Sequence, residues 1–332
     1  MLAGTMPAYL AGGGGGGGRN LSLRQTRELI DDVYMSKGRH DRKAAEARLP
    51  RETLAQHLAT YLNNRYGLRL LIAEYSQACY DAIRDYEETD AEVATFGCIL
   101  RNEVEEGFVV VQRQLRHTVS ELLRLHIRSK LAHKPEAHVA ETHKRKTEGV
   151  ITEEEWSSIT SYMYTATDAE ALGLRLTEQA RRAALLATHP SPSTPGVSRT
   201  ASRGRSRGEA YAAAQASRIP YHAFVQVLLD FQLSGHLQYL APFVMLYREL
   251  DLKQRGVLDE PGFRQLVARL ESDRTEGDLT CMLEAVDPHN HQRITFSDCV
   301  CALADDYEHF RQHGGGMEAL QACVTEARRS LG

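Results

Sequence analysis

Asp251-Leu-Lys-Gln-Arg-Gly-Val-Leu-Asp-Glu-Pro-Gly262 and Asp287-Pro-His-Asn-His-Gln-Arg-Ile-Thr-Phe-Ser-Asp298 begin 36 residues apart and are the most informative part of this chain. Each opens on an aspartate and carries an apolar residue at its eighth position, Leu258 or Ile294. Apolar helical runs flank both: Tyr239 to Leu250 and then Phe263, Leu266 and Val267 around the first, Asp278 to Val286 and Cys299 to Leu303 around the second. Gly256, sixth in the first stretch, suits a sharp backbone turn.

This arrangement resembles the EF-hand family, in which helix, twelve-residue loop and helix recur in pairs at about this interval. The resemblance rests on Asp251 and Asp287 at position one, Gly256 at six, and Leu258 and Ile294 at eight. It implies that Leu258 and Ile294 join in a short antiparallel bridge, and it covers about 70–95 residues of the C-terminal third. A fainter copy precedes it. Arg218-Ile-Pro-Tyr-His-Ala-Phe-Val-Gln-Val-Leu228 shares Arg, Ile, an aromatic, Val and Leu at equal offsets with Arg293-Ile-Thr-Phe-Ser-Asp-Cys-Val-Cys-Ala-Leu303. Ala212, Ala213 and Ala214 stand there in place of ligands.

Calcium takes six to eight oxygens, normally from acids or amides at loop positions one, three and five and a bidentate glutamate at twelve. The first loop has Asp251 and Asp259, but Lys253 and Arg255 at three and five and Gly262 at twelve. Like-charge repulsion of about 4 kcal/mol per close contact forbids a useful site there. The second keeps Asp287 at one, Thr295 at nine and Asp298 at twelve, with His289 and His291 replacing oxygen ligands and Gln292 replacing the turn glycine. Asp287, His289, His291, Thr295 and Asp298 are therefore the candidate calcium or magnesium loop, the short Asp298 arm favouring magnesium. Asp287, His289 and His291 lack the spacing of a closed zinc site. No cofactor is expected, and a calcium sensor using residues 287–298 is the competing reading. The scaffold is then kept for its shape. An apolar groove drawn on Phe243, Leu246, Phe263, Met282 and Phe296 suits an amphipathic partner helix, although the same residues serve equally as core. A helix over 308–331, through Met317, Leu320, Cys323 and Val324, is a candidate occupant.

Upstream the pattern is helical from Leu21 to about Lys130. Pro50 suits the first turn of a helix that carries Leu54, Leu58 and Leu62 on one stripe and stops at Gly67. Phe96, Leu100, Val104, Phe108, Val111, Leu115, Val119 and Leu122 step by three or four and predict one helix over 90–130. Such a helix, on the order of 50–60 Å long, forms the backbone of a bundle or pairs with a partner as a coiled coil. Residues 132–150, with His143-Lys-Arg-Lys146, read as a solvated linker. Thr152 and three glutamates then cap a helix that turns Trp156, Ile159, Tyr162 and Met163 inward, and another helix follows over 168–186.

Residues 188–208, rich in Pro, Ser and Arg, predict a disordered linker. Arg199 and Arg203 each lie three residues before a serine, which makes Ser202 and Ser206 candidate phosphorylation sites. Seven glycines, Gly12 to Gly18, make residues 1–20 a flexible tail. The expected architecture is all-α: a helical domain over 21–187 and an EF-hand-like domain over 209–331.

A length of 332 residues fits two domains. A net charge of −4 argues against a nucleic-acid partner. No run of eighteen apolar residues argues for a membrane span, and the opening of the chain lacks the basic region of a secretory signal. Six cysteines without a CxxC pair suit a reduced, cytoplasmic protein. No phosphate loop, dinucleotide fingerprint, GxSxG or HExxH occurs, so no enzyme is expected. His40, His57, His117 and His126 carry no adjacent carboxylate pattern. Tyr61-Leu-Asn-Asn-Arg-Tyr-Gly-Leu68 and Phe96-Gly-Cys-Ile-Leu-Arg-Asn-Glu-Val-Glu-Glu-Gly-Phe108 resemble segments of ciliary and flagellar proteins that combine helices with EF-hands. The expected function is a non-catalytic scaffold or adaptor for proteins, binding helical segments or cytoskeletal components in a cilium, flagellum or cytoskeleton. A calcium sensor and a regulatory subunit of a kinase or phosphatase are the alternatives.

Overall fold

The computed structural model describes residues 20–188, 218–270 and 274–312, of which 184–188 and 312 are described by their backbone alone. The glycine tail, the linker serines Ser202 and Ser206, Ala212 to Ala214, and the helix expected beyond Gln312 lie outside the described residues. The fold is all-α. Its elements are α1 (Leu23–Glu46), α2 (Leu54–Tyr66), α3 (Arg69–Tyr86), α4 (Ala91–Leu100), α5 (Phe108–Lys130), α6 (Glu136–Thr147), β1 (Val150–Thr152), α7 (Glu153–Met163) and α8 (Ala166–Thr188). After these come β2 (Arg218–Pro220), α9 (Tyr221–Leu250), β3 (Val257–Leu258), α10 (Glu260–Leu270), α11 (Glu276–Val286), β4 (Ile294–Thr295), α12 (Phe296–Ala302) and α13 (Ala304–Gln312). No helix among the described residues is long and apolar enough to cross a membrane.

Two compact units emerge, and their limits differ from the boundaries expected from composition. One joins the chain up to Val109 with the chain from Ser234 onward; the other is Val110–Leu233. A composition shift marks where chain leaves a core, but it carries no record of which distant helices share one.

In the first unit, α1 to α4 pack on one another. Ser22 with Gln25 and Thr53 with Gln56 form capping boxes that satisfy the first amides of α1 and α2. The Thr53 box corrects the expected start at Pro50, which lies in the loop before it. Leu54, Leu58 and Leu62 are buried, and Gly67 closes α2 in the left-handed conformation at φ 65°. The C-terminus of α1 closes the same way on a residue ill suited to it. Arg48 takes φ 54°, and the Arg48 and Leu49 amides donate to the Ala45 and Ala44 carbonyls. Arg48→Gly is therefore expected to stabilise the protein by about 1 kcal/mol, read as a rise in the urea midpoint.

The single helix expected over 90–130 is two helices. Asn102 adopts φ 52°, with its amide on the Ile99 carbonyl and the Glu103 amide on the Cys98 carbonyl. This Schellman closure ends α4, and α5 starts only at Phe108. Phe108, Leu115 and Val119 are buried as expected. Val111, expected inside, is 43% exposed, and the buried stripe of α5 runs through Leu115, Val119, Leu123 and Ile127. Every residue of α4 except Glu92 and Ala94 is buried, and its cap Asp90 accepts bonds from the Glu92 and Val93 amides and from Arg27.

In the second unit, α6 replaces the expected solvated linker, because Val139 is buried beneath its polar face. Trp156 and Ile159 are buried as expected, whereas Tyr162 is exposed. β1 pairs with β2 in an antiparallel bridge that sets Ile151 opposite Ile219.

Candidate functional site

The two loops at Asp251 and Asp287 lie in the first unit and are joined by β3 and β4. Leu258 stands opposite Ile294 and Val257 opposite Thr295, so the expected pairing of the eighth positions is present. The Phe296 amide donates to the Gly256 carbonyl at 3.1 Å and extends the bridge into α12. Gly256 takes φ 68°, and a Cβ there would meet the Asn102 side-chain nitrogen at 2.6 Å. Gln292 holds the equivalent turn at φ 58° without glycine's freedom.

The loop carboxylates are occupied by the chain itself. Asp251 accepts the Arg255 amide at 3.1 Å and the Gly256 amide at 2.6 Å. Asp287 does the same at the second loop, from the His291 amide at 2.9 Å and the Gln292 amide at 2.8 Å. Asp298 is committed twice. Its Oδ2 accepts the Thr295 hydroxyl at 2.6 Å within the capping box of α12, and its Oδ1 accepts Arg51 Nη1 at 3.0 Å. Arg51 also reaches Glu106 at 2.6 Å and Asp41 at 3.4 Å. Burial works against the guanidinium charge, but these three carboxylates outweigh it and hold Arg51 firmly protonated. Lys253 and Arg255 are exposed. His291 Nδ1 lies 3.5 Å from Asp287, while the His289 and His291 rings are 5.7 Å apart. Among the described residues, Asp287, His289 and His291 do not bring three ligand atoms into one metal-sized volume.

The expected groove is mostly closed. Phe243, Leu246, Phe263 and Phe296 are at most 4% exposed and belong to one core with Tyr247, Leu258 and Ile294. Phe296 meets the rings of Phe243 and Tyr247 edge-on. These side chains are sealed because α9, α10, α12 and α13 pack around them. Met282 stays partly open, with Leu279, Leu283 and Val286 beside it on α11, a helix without a fully buried residue. Cys299 is buried and Cys301 exposed, as their two-residue spacing on a helix requires.

The second unit repeats the arrangement, and a search for acidic loops misses half of that repeat. Gly149-Val-Ile-Thr-Glu-Glu-Glu-Trp-Ser-Ser-Ile159 parallels Gly256-Val-Leu-Asp-Glu-Pro-Gly-Phe-Arg-Gln-Leu266. The bridges coincide residue for residue: Ile151 opposite Ile219 corresponds to Leu258 opposite Ile294. The Tyr221 amide donates to the Gly149 carbonyl at 3.0 Å, as Phe296 does to Gly256. Trp156 and Phe263 are the matching buried aromatics. The fainter copy at Arg218 thus has a partner, and the shared Gly-Val-Ile/Leu step is the sequence signal that marks it. Counted from Gly149 as position six, Lys146 falls at three and Glu155 at twelve. Lys146 Nζ contacts Glu155 Oε2 at 2.9 Å, and the Thr152 amide donates to the same oxygen at 2.8 Å. Burial raises the Glu155 carboxyl, but these bonds outweigh it and leave it below the usual carboxylate value.

Compared with protein-family models, characterised proteins and solved structures, the chain matches none.

Proposed function

We propose that this chain is a non-catalytic, protein-binding scaffold built on paired EF-hand-like helix–loop–helix units that have exchanged metal binding for internal ion pairs. One observation carries the reading. At both position-twelve carboxylates present, a cation of the chain sits where a metal's charge would be needed: Arg51 on Asp298 and Lys146 on Glu155. A buried carboxylate needs a counter-charge, and an arginine or lysine supplies it permanently. A metal entering the loop at 287–298 would have to displace Arg51 from Asp298, and one entering the loop at 144–155 would have to displace Lys146 from Glu155. The fold would then be held in one state rather than switched by calcium, which suits a constitutive adaptor.

The partly open apolar row Leu279, Met282, Leu283 and Val286 on α11 supports helical protein segments as partners. The cytoskeletal or ciliary setting rests on the sequence resemblance alone. Calorimetric titration of the full chain tests the reading: calcium up to millimolar concentration is expected to give no saturable heat and no shift in melting temperature. A saturable micromolar calcium event abolished by Asp287→Ala would replace the scaffold with the calcium sensor. The full chain is required because α10 to α13 share a unit with α1 to α4.

A further inference from the structure

His40 near the end of α1, Glu52 in the following loop and His57 in α2 converge within the first unit, although the sequence offers no motif that joins them. One ligand atom from each lies within 4.8 Å of the other two. Glu52 Oε2 is 3.1 Å from His57 Nδ1 and 3.8 Å from His40 Nε2. Ligands bound at 2.0–2.1 Å in a tetrahedral zinc site stand about 3.3 Å apart, so small side-chain adjustments would bring these atoms onto one ion.

We propose that His40, Glu52 and His57 bind a single zinc-class divalent ion that staples α1 to the start of α2. Two imidazoles and one carboxylate are the donor set that borderline-soft first-row ions prefer, and calcium does not. The supporting residues are already placed. His57 Nε2 lies 3.1 Å from Ser36 Oγ, so its N–H can donate there while Nδ1 faces the ion. Thr60 Oγ1 donates to Glu52 Oε1 at 3.1 Å and leaves Oε2 for the metal. With Nε2 turned to the ion, His40 carries its proton on Nδ1, which is buried 3.9 Å from Asp41 Oδ1. The nearby Lys37 ammonium is committed to Asp41 at 2.6 Å and Glu106 at 3.3 Å, and Arg51 to three carboxylates, so neither charge is unpaired against the ion. His57 is buried whereas His40 and Glu52 remain partly open, which admits a water as fourth ligand.

The test uses untagged full chain stripped with a chelator and titrated with Zn2+ alone, with Co2+ as a spectroscopic reporter. One zinc per chain is expected, together with a visible Co2+ band of a low-coordinate site. His57→Gln and His40→Gln are each expected to weaken zinc binding by on the order of 100-fold, and Ser36→Ala by roughly 10-fold. A His289→Gln, His291→Gln double variant is expected to bind as the parent does. Should the buried His57 variant fail to fold by circular dichroism, His40→Gln, at a side chain 35% exposed, decides between site and no site. No zinc uptake at micromolar concentration, undiminished uptake in His40→Gln, or loss only in the His289/His291 variant would each overturn the site.

Discussion

Phe296→Ala is expected to lower the unfolding free energy by about 4 kcal/mol, measured by urea denaturation of the full chain. Phe296 is 1% exposed and is the first residue of α12, directly after the bridge strand β4. Its ring centroid stands 5.0 Å from that of Tyr247 and 5.9 Å from that of Phe243, both edge-on. Removing the ring forfeits its transfer energy and both aromatic contacts, and it leaves a cavity that cannot collapse. Side chains of α9, α10, α12 and α13 share this core, and the Phe296 amide is pinned to Gly256. A loss under about 1 kcal/mol would mean that this core is open or loosely packed, which would return Phe296 to the partner groove.

Arg51→Ala is expected to cost about 2 kcal/mol. Removing one member of a fully buried ion pair costs about 3–5 kcal/mol, but the Arg51 side chain is 38% exposed and the Asp298 side chain 22%, so water recovers part of it. Glu106 keeps Lys37 at 3.3 Å after the substitution. Asp298 keeps only the Thr295 contacts, so the loss concentrates on its Oδ1. A double-mutant cycle isolates that share: in the Arg51→Ala background, Asp298→Asn is expected to restore at least about 1 kcal/mol, whereas alone it destabilises. If the two single effects simply add, Arg51 is not the counter-ion of the second loop. An internal cation would then not have taken the place of a metal there.

The local features legible in the sequence share one property: each depends on residues within a few positions of one another. Gly67 ends α2 because a left-handed residue must follow its last turn. Thr152 and Glu155 cap α7 because hydroxyl and carboxylate reach amides three residues away. The bridge between Leu258 and Ile294, 36 residues apart, is the exception, and it is implied only by the resemblance of the two loops to the EF-hand pair. The same local logic failed at Asn102. Asparagine is a weaker stop than glycine, and the apolar steps continue across the break, so periodicity alone extended one helix through two. Tyr162 fits the apolar period of α7 and still faces solvent, because period does not say how wide a helix's covered stripe is.

What no local pattern could disclose were pairings across long stretches of chain: Arg51 with Asp298, Arg293 with Gln56, His40 and His57 around Glu52, and Ile151 with Ile219. Each needs two separate segments whose spacing in sequence implies nothing about distance in space. The amino-acid order settled the helical class, the stop at Gly67 and the cap at Thr152, and the loss of oxygen ligands from the two loops, since backbone geometry and side-chain chemistry act there over one or two turns. The folded chain alone settled which helices share a core, which aromatics are sealed and which cation neutralises which carboxylate. Burial and ion pairing are properties of three-dimensional neighbours, and those exist only once the helices have packed.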